Sequence, residues 1–305
     1  MSILKNFKTL TNPKGVEKIL NENRKFIWGE KERAHAMRVS ITQSYRDTRS
    51  YNLAARYDFR LKPSAGAKKR HSIFALSHSD GRKKYAHAMN DIIFRHFLGA
   101  QKQITVPRPY KYVERYRLFL LEYIKGSTLA SILVKEKSPR TNHLISLMDW
   151  LAHLHGAKVH PKIKRRINFY HLEHNIKVLK ERGHKDALAF EKKFKRIKKQ
   201  MKLWRKSHGT TVVHGDFNPS NVIIKGNSIA VVDFENVYVG DYLIDAANML
   251  SYIIMILRDT GAKKQFMRLY QENRGKLTPS EKRRFSLYVD YFSLLFKTHP
   301  LVWGK

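Results

Sequence analysis

The residues best suited to chemistry lie in one stretch, Val212-Val213-His214-Gly215-Asp216-Phe217-Asn218-Pro219-Ser220-Asn221, followed by Ile229-Ala230-Val231-Val232-Asp233-Phe234-Glu235. An apolar lead runs into His-Gly-Asp, an Asn follows at the fifth position after the Asp, and a second apolar run ends in another Asp. This is the layout of a catalytic loop followed by a metal-binding strand end. In phosphoryl transfer one carboxylate accepts or orients the attacking hydroxyl, while an Asn and a further Asp hold the magnesium that neutralises a triphosphate. On that chemistry Asp216 is the candidate catalytic residue, and Asn221 and Asp233 are the candidate metal ligands. His-Gly-Asp alone is also ordinary turn chemistry, so the neighbouring segments have to agree.

They do agree. Val222-Ile223-Ile224 reads as a buried strand leaving the loop, Lys225-Gly226-Asn227 as a turn, and Asp233-Phe234-Glu235 leads on to Val239-Gly240-Asp241-Tyr242-Leu243-Ile244-Asp245-Ala246-Ala247. The spacing Asp-x4-Asn matches the loop H-R-D-x-x-x-x-N of protein kinases, with Gly215 where Arg would stand. With glycine there, the chain resembles the aminoglycoside phosphotransferase and choline kinase family, whose members carry H-G-D-x4-N and then an Asp opening D-x-E. Val239 to Ala247 is similar to the family's Gly-Asp-x-x-x-Asp-Leu-Ala segment, with Ala246 in place of Leu. Leu118-Phe119-Leu120-Leu121-Glu122-Tyr123-Ile124-Lys125-Gly126 resembles the family's hinge.

The resemblance implies an α+β fold of two lobes, protein-kinase-like, with a β-rich N-lobe over 1–121, a hinge at 122–126 and a mostly helical C-lobe over 127–305. It implies an ATP- and magnesium-dependent phosphotransferase whose acceptor is a hydroxyl of a small molecule. Backbone groups of Glu122 and Ile124 would take the adenine edge. His214 would prop the loop, Asp241 and Asp245 would be structural, and Glu235 would be a carboxylate either supporting the metal ligands from behind or beside the metal itself.

One expected residue is missing. In the family a strand-three Lys grips the α and β phosphates and pairs with a helix Glu. Here Leu76, or Ser77 after a one-residue slip, stands at the Lys position, and Asn90, with Asp91 beside it, at the Glu position. Losing both partners together is physically coherent, because a half-pair leaves a charge uncompensated. Two readings follow: another cation (Arg82, Lys83 or Lys84) takes the phosphates, or the protein is a pseudokinase.

Composition narrows the choices. The 305 residues contain no Cys, which excludes disulfides, thiol nucleophiles and Cys-based zinc sites. No signal-peptide core opens the chain, and the longest mostly apolar stretch, from Ala246 to Leu257, is interrupted by Asn248 and too short to span a bilayer. A cytoplasmic protein is expected. Lys and Arg number 60 against 25 Asp and Glu, a formal charge of +35. That balance argues against a polycationic aminoglycoside acceptor. It leaves open an anionic acceptor, a nucleic acid held by the basic surface, or a general basic bias with no role in function. A RIO-like protein kinase is a further alternative.

The elements that must position these residues follow from periodicity. Thr11-Asn12-Pro13 predicts a capped helix with Val16, Ile19 and Leu20 on one face. Alternation predicts strands over Val39–Thr42, Tyr51–Leu61 and Ser72–Leu76, then a helix over Arg82–Leu98 with Tyr85, Met89, Ile92, Ile93 and Phe97 on one face, then strands over Tyr110–Val113 and Tyr116–Ile124. Ser138-Pro139 should start a helix ending at Leu154-His155. Phe190 to Lys206 should be a helix whose apolar stripe is surrounded by lysines and arginines, either a solvated face or a cationic wall beside the acceptor. Thr278-Pro279-Ser280-Glu281 reads as a capping box opening the terminal helix.

Overall fold

The computed structural model describes residues 3–46, 50–62, 70–137, 140–160, 162–163, 169–208, 210–258 and 260–304. The elements in chain order are α1 (Ile3–Thr11), α2 (Pro13–Glu22), α3 (Arg24–Ile27), β1 (Arg33–Arg46), β2 (Tyr51–Lys62), β3 (Arg70–His78), α4 (Lys83–Phe97), β4 (Ile104–Thr105), β5 (Pro109–Val113), β6 (Leu118–Glu122), β7 (Ser127–Thr128), α5 (Leu129–Glu136), α6 (Thr141–His155), α7 (Tyr170–Glu181), α8 (Ala187–His208), β8 (Thr211–Val213), β9 (Val222–Lys225), β10 (Ser228–Val231), β11 (Tyr238–Gly240), α9 (Leu243–Leu257), α10 (Thr260–Arg274) and α11 (Pro279–Trp303). The chain divides into two compact units. The first holds Met1–Arg95, Val106–Lys125 and Asp233–Glu235; the second holds His96–Thr105, Gly126–Val232 and Asn236–Lys305.

In the first unit five antiparallel strands lie in the order β1-β2-β3-β6-β5. Successive side chains of a strand point to opposite faces, and β2 shows it: Tyr51, Leu53, Ala55, Tyr57, Phe59 and Leu61 are all buried, the residues between them only partly so. Those buried residues form one core with Leu10 of α1 and Val16, Ile19 and Leu20 of α2. The anticipated cap forms, Asn12 Oδ1 accepting from the Lys14 N–H at 2.9 Å. α1 is held on the sheet by the Tyr57 hydroxyl, which donates to Leu10 O at 2.9 Å.

The two faces of β3 settle where the strand-three position points. Ile73 and Ala75 belong to the core under α1 and α2, whereas Phe74 and Leu76 pack on the other face with Ala86, Tyr112, Phe119 and Leu121. Ser77 shares the first face and is fully buried. Its hydroxyl is 3.0 Å from the Tyr51 hydroxyl and donates to Tyr116 O and Arg117 O, while Asn6 Nδ2 donates to Tyr51 Oη and Tyr116 O. This polar chain fills the space that a lysine at 77 would need.

On α4 the anticipated Met89, Ile93 and Phe97 are buried, while Tyr85 and Ile92 are only half-buried. Lys83, Ala86 and Asn90 share the buried stripe, two of them polar residues that hydrophobic periodicity does not select.

In the second unit β4, β10, β9 and β7 make one small sheet and β11 pairs with β8 in another. α9 is buried along most of its length, and α11 opens with the anticipated capping box, Thr278 Oγ1 accepting from Glu281 N–H at 3.2 Å and Glu281 Oε2 accepting from Thr278 N–H at 2.8 Å. The helix start at Ser138-Pro139 lies outside the described residues, as do the side chains of Arg205 and Lys206. Among the described residues no helix is long and apolar enough to cross a membrane.

Ser77→Lys should therefore lower stability by about 4 kcal/mol or more, because an unpaired ammonium would replace a satisfied hydroxyl in a closed core. Leu76→Lys, on the other face, should cost less. Urea unfolding of the two variants side by side tests the assignment of faces, which is wrong if position 77 is the more tolerant.

Candidate active site

The loop from His214 to Asn221 sits between β8 and β9 in the second unit and is anchored by a buried carboxylate. Asp245, in the first turn of α9, is fully buried. Its Oδ2 accepts from the His214 N–H at 2.8 Å and its Oδ1 from the Gly215 N–H at 3.0 Å, and His155 Nε2, at the end of α6, lies 3.2 Å from Oδ2. Charge-assisted bonds of this kind are about twice as strong as neutral ones. Gly215 must be glycine: its φ is +79°, and a Cβ there would sit 2.2 Å from Asn236 O. An arginine, as in the protein-kinase loop, has no room.

His214 is wholly buried beside Trp150 and Phe217, whose rings stack 5.3 Å apart. Its Nε2 is 3.0 Å from Val232 O and its Nδ1 accepts from the Asp216 N–H at 3.3 Å. Those partners select the neutral tautomer protonated on Nε2, and burial pushes the imidazole below its usual pKa, against the pull of Asp245. The Val232 N–H in turn donates to Asn221 O at 2.9 Å. Val232 is the residue before Asp233, so the chain leaves the loop's own hydrogen bonds directly into the second acidic position.

The Asp216 carboxylate is gripped by two amides. Asn218 Nδ2 donates to Oδ1 at 2.9 Å, and Asn221 Nδ2 donates to Oδ2 at 3.1 Å and to the Asp216 carbonyl at 2.9 Å. Both partners of the Asn221 nitrogen are acceptors, so the amide has one orientation, and its Oδ1 is left without a hydrogen bond among the described residues. Asn218 also caps the turn Pro219–Asn221, accepting from the Ser220 N–H at 2.9 Å.

Asp233, Phe234 and Glu235 belong to the first unit. Asp233 has a φ of +69°, the left-handed region that non-glycine residues other than Asn and Asp rarely enter. Its carboxyl is pushed up to about 6, by burial first and then by the charge of Glu235, against the pull of Lys83 and a backbone hydrogen bond from Glu235. Lys83, at the start of α4, makes an ion pair with Glu235. Of the three cations open at the lysine question, Lys83 is the one buried; Arg82 pairs with Asp80 at 2.7 Å and Lys84 with Glu114 at 2.6 Å, both at exposed positions.

Of the residues expected at the hinge, Glu122 ends β6 and Ile124 lies just beyond it. The Glu122 N–H is used, donating to Arg108 O at 2.9 Å, so Glu122 can offer a ligand only its carbonyl. The Ile124 N–H, past the end of the strand, has no hydrogen-bond partner among the described residues.

Magnesium takes a few hard oxygens from a protein and completes its shell with water and phosphate. The half-buried Asp233 carboxylate of the first unit and the unpartnered Asn221 Oδ1 of the second are each an oxygen of that kind. No cluster of three His, Cys, Asp or Glu exists among the described residues, as a dedicated protein cage would need.

A sequence model of the phosphotransferase enzyme family matches residues 65–279, well over half of the chain. The chain belongs to this family. Three solved structures share its fold. An amicoumacin kinase in complex with AMP-PNP, Ca²⁺ and amicoumacin is 15% identical, with TM-score 0.60 over 96% of this chain and 87% of its own. Plasmodium vivax ethanolamine kinase is 12% identical, with TM-score 0.58 over 95% and 84%. A choline/ethanolamine kinase family protein from Mesorhizobium loti is 17% identical, with TM-score 0.52 over 80% and 76%. No curated protein sequence matches the chain.

The anticipated α+β, kinase-like fold is thus the fold of this phosphotransferase, β-sheet in its N-terminal region and helical in its C-terminal region. Sequence reasoning passed over two residues of the loop region. Asn218 was visible only as part of a motif, although an Asn two residues after an Asp and before a Pro is itself a capping signal. His155 was visible only as the end of a Leu-x-x-Leu-His helix resembling the family's, and its partner Asp245 is remote in sequence. On α8 three lysines pair with acids, Lys193 with Asp290, Lys195 with Glu191 and Lys198 with Glu173.

Asp245→Asn should cost about 1–3 kcal/mol, because an amide NH₂ would face backbone N–H donors. Hydrogen exchange at the His214 and Gly215 amides should accelerate in step; unchanged exchange there would show that Asp245 does not hold the loop.

The raised Asp233 carboxyl makes a second, signed prediction. Because the folded state holds this proton up to about pH 6 and the unfolded chain releases it near pH 4, Asp233 lowers stability as pH rises through that window. Asp233→Asn should raise the melting temperature at pH 7, and the difference should vanish near pH 4. A gain that is the same at both pH values would contradict it.

Proposed function

We propose that this phosphotransferase moves the γ-phosphoryl group of ATP, with magnesium, to a hydroxyl of a small molecule. The observation that carries the reading is the arrangement of the His214–Asn221 loop. A carboxylate is fixed from both sides by amides, one amide oxygen is left over, and a backbone turn that only glycine can make brings them together.

In this reading Asp216 takes the proton of the acceptor hydroxyl as its oxygen bonds the γ-phosphorus; the bond to the β–γ bridging oxygen breaks, and ADP leaves. Asn218 and Asn221 keep the carboxylate aimed, which supplies much of the rate through positioning. Asn221 Oδ1 and the Asp233 carboxylate would hold Mg²⁺, which would supply neutralisation of the phosphate charge. The Glu122 carbonyl and the Ile124 N–H take the adenine edge. The division into an N-lobe of residues 1–121, a hinge at 122–126 and a C-lobe of residues 127–305 goes with this assignment, as does a cytoplasmic setting.

The amicoumacin kinase and the ethanolamine kinase point to small-molecule acceptors for the fold. With a formal charge of +35, this chain suits a neutral or anionic acceptor better than an aminoglycoside. The charge also keeps a nucleic-acid partner in view.

Screening a metabolite panel for ATP consumption with wild type and Asp216→Asn tests the reaction. Asp216→Asn should lower turnover by about 10²–10⁴, as for loss of a general base, with nucleotide affinity unchanged. Asp233→Ala should instead weaken Mg·ATP binding in calorimetry while ATP without metal binds as before. Near-wild-type turnover in Asp216→Asn removes its catalytic role, and nucleotide-free chemistry or salt-sensitive RNA binding indifferent to Asp216 would replace the kinase reading.

A further inference from the structure

The family's phosphate-gripping ion pair takes its cation from strand three and its carboxylate from the helix. Here neither partner can exist. Leu76 is packed among apolar side chains, Ser77 is closed into a hydroxyl chain, and Asn90 is buried with its Nδ2 donating to Pro107 O at 3.0 Å. Yet the first unit does contain a buried ion pair: Lys83 from the helix and Glu235 from the segment that carries Asp233.

Three features set Lys83 apart. Among the described residues only Lys83 and Arg284 are buried cations, and Arg284 is committed to Asp241 at 2.7 Å. An ammonium has three N–H donors; Glu235 takes one, Lys83 makes no second hydrogen bond among the described residues, and the Asp233 carboxylate is felt only as a nearby charge. Burying a charge with open donors is costly unless something answers them. Finally, Lys83 opens the inward stripe of α4, and two turns further along that stripe the buried Asn90 Oδ1 also lacks a partner.

We propose that Lys83 is the cation that binds the nucleotide's β and γ phosphates, and that Glu235 is the carboxylate that aims it. The pair is the family's ion pair rebuilt from other positions, its cation on the helix and its carboxylate on the Asp233–Glu235 segment. This rests on the ATP-dependent reading above. Glu235 is then a positioning residue, and the Asp233-Phe234-Glu235 segment supplies both a metal-side carboxylate and the support for the phosphate grip. The absence of a strand-three lysine is a relocation of charge, and the chain is no pseudokinase on that account.

The test is calorimetric and needs no turnover. Wild type, Lys83→Met, Lys83→Arg and Glu235→Gln are titrated with Mg²⁺ plus the β,γ-imido analogue of ATP, ADP, AMP and adenosine. Lys83→Met should weaken the ATP analogue and ADP about 10- to 100-fold, the size of a charge-assisted hydrogen bond, and change adenosine and AMP by no more than about two-fold. Lys83→Arg should recover part of the loss, and Glu235→Gln should show a smaller loss with the same phosphate dependence. Should the single variants fail to fold, Lys83→Met/Glu235→Gln, which removes both charges at once, carries the same measurement. Unchanged affinity for the ATP analogue in Lys83→Met, or an equal loss for adenosine, overturns the proposal and leaves the kinase reading standing. A wild type that binds none of the four overturns both.

Discussion

The geometry of the helical unit depends on one buried carboxylate. Asp245 has no exposure to solvent and receives two consecutive backbone N–H groups of the loop together with the imidazole of His155. A buried charge is tolerated only when its oxygens are fully used. The condition works in both directions: the loop satisfies the carboxylate, and the carboxylate permits the loop no other course. Gly215 follows from this, because the chain must turn at positive φ immediately after the bonded amides and pass against Asn236 O. So does the direction of Asp216, the next residue, whose carboxylate is then locked by Asn218 and Asn221.

His214 carries the constraint on to Val232. One face of the ring meets Asp216's N–H, and the other nitrogen reaches Val232 O. A neutral imidazole is the side chain that can accept on one side and donate on the other while remaining buried. One ring thereby ties the Asp216 N–H to the Val232 carbonyl within the second unit.

Much of this was legible in the sequence, for reasons that can be stated residue by residue. The roles of Gly215, Asp216, Asn218 and Asn221 are local. They depend on offsets of one to five residues, and such offsets are set by backbone geometry that any reader of a sequence shares. The strands β2 and β3, the Asn12 cap and the Thr278 capping box were readable for the same reason, since period-two burial and short-range capping bonds leave marks within a few residues. On α4 periodicity found Met89, Ile93 and Phe97 but missed Lys83 and Asn90 on the same buried stripe, because it weighs hydrophobicity alone.

By itself, then, the sequence determined the family and the class of fold, because both are written in spacings along the chain. Only the tertiary structure decided which residues answer one another across long separations: Asp245 beneath a loop 30 residues earlier, Ser77 inside a hydroxyl chain with Tyr51, and Lys83 beside a glutamate 152 residues away. These pairings are imposed by the cost of leaving a buried charge or hydroxyl unanswered. That cost is settled by which groups meet in the folded chain and leaves no trace in the spacing of either partner.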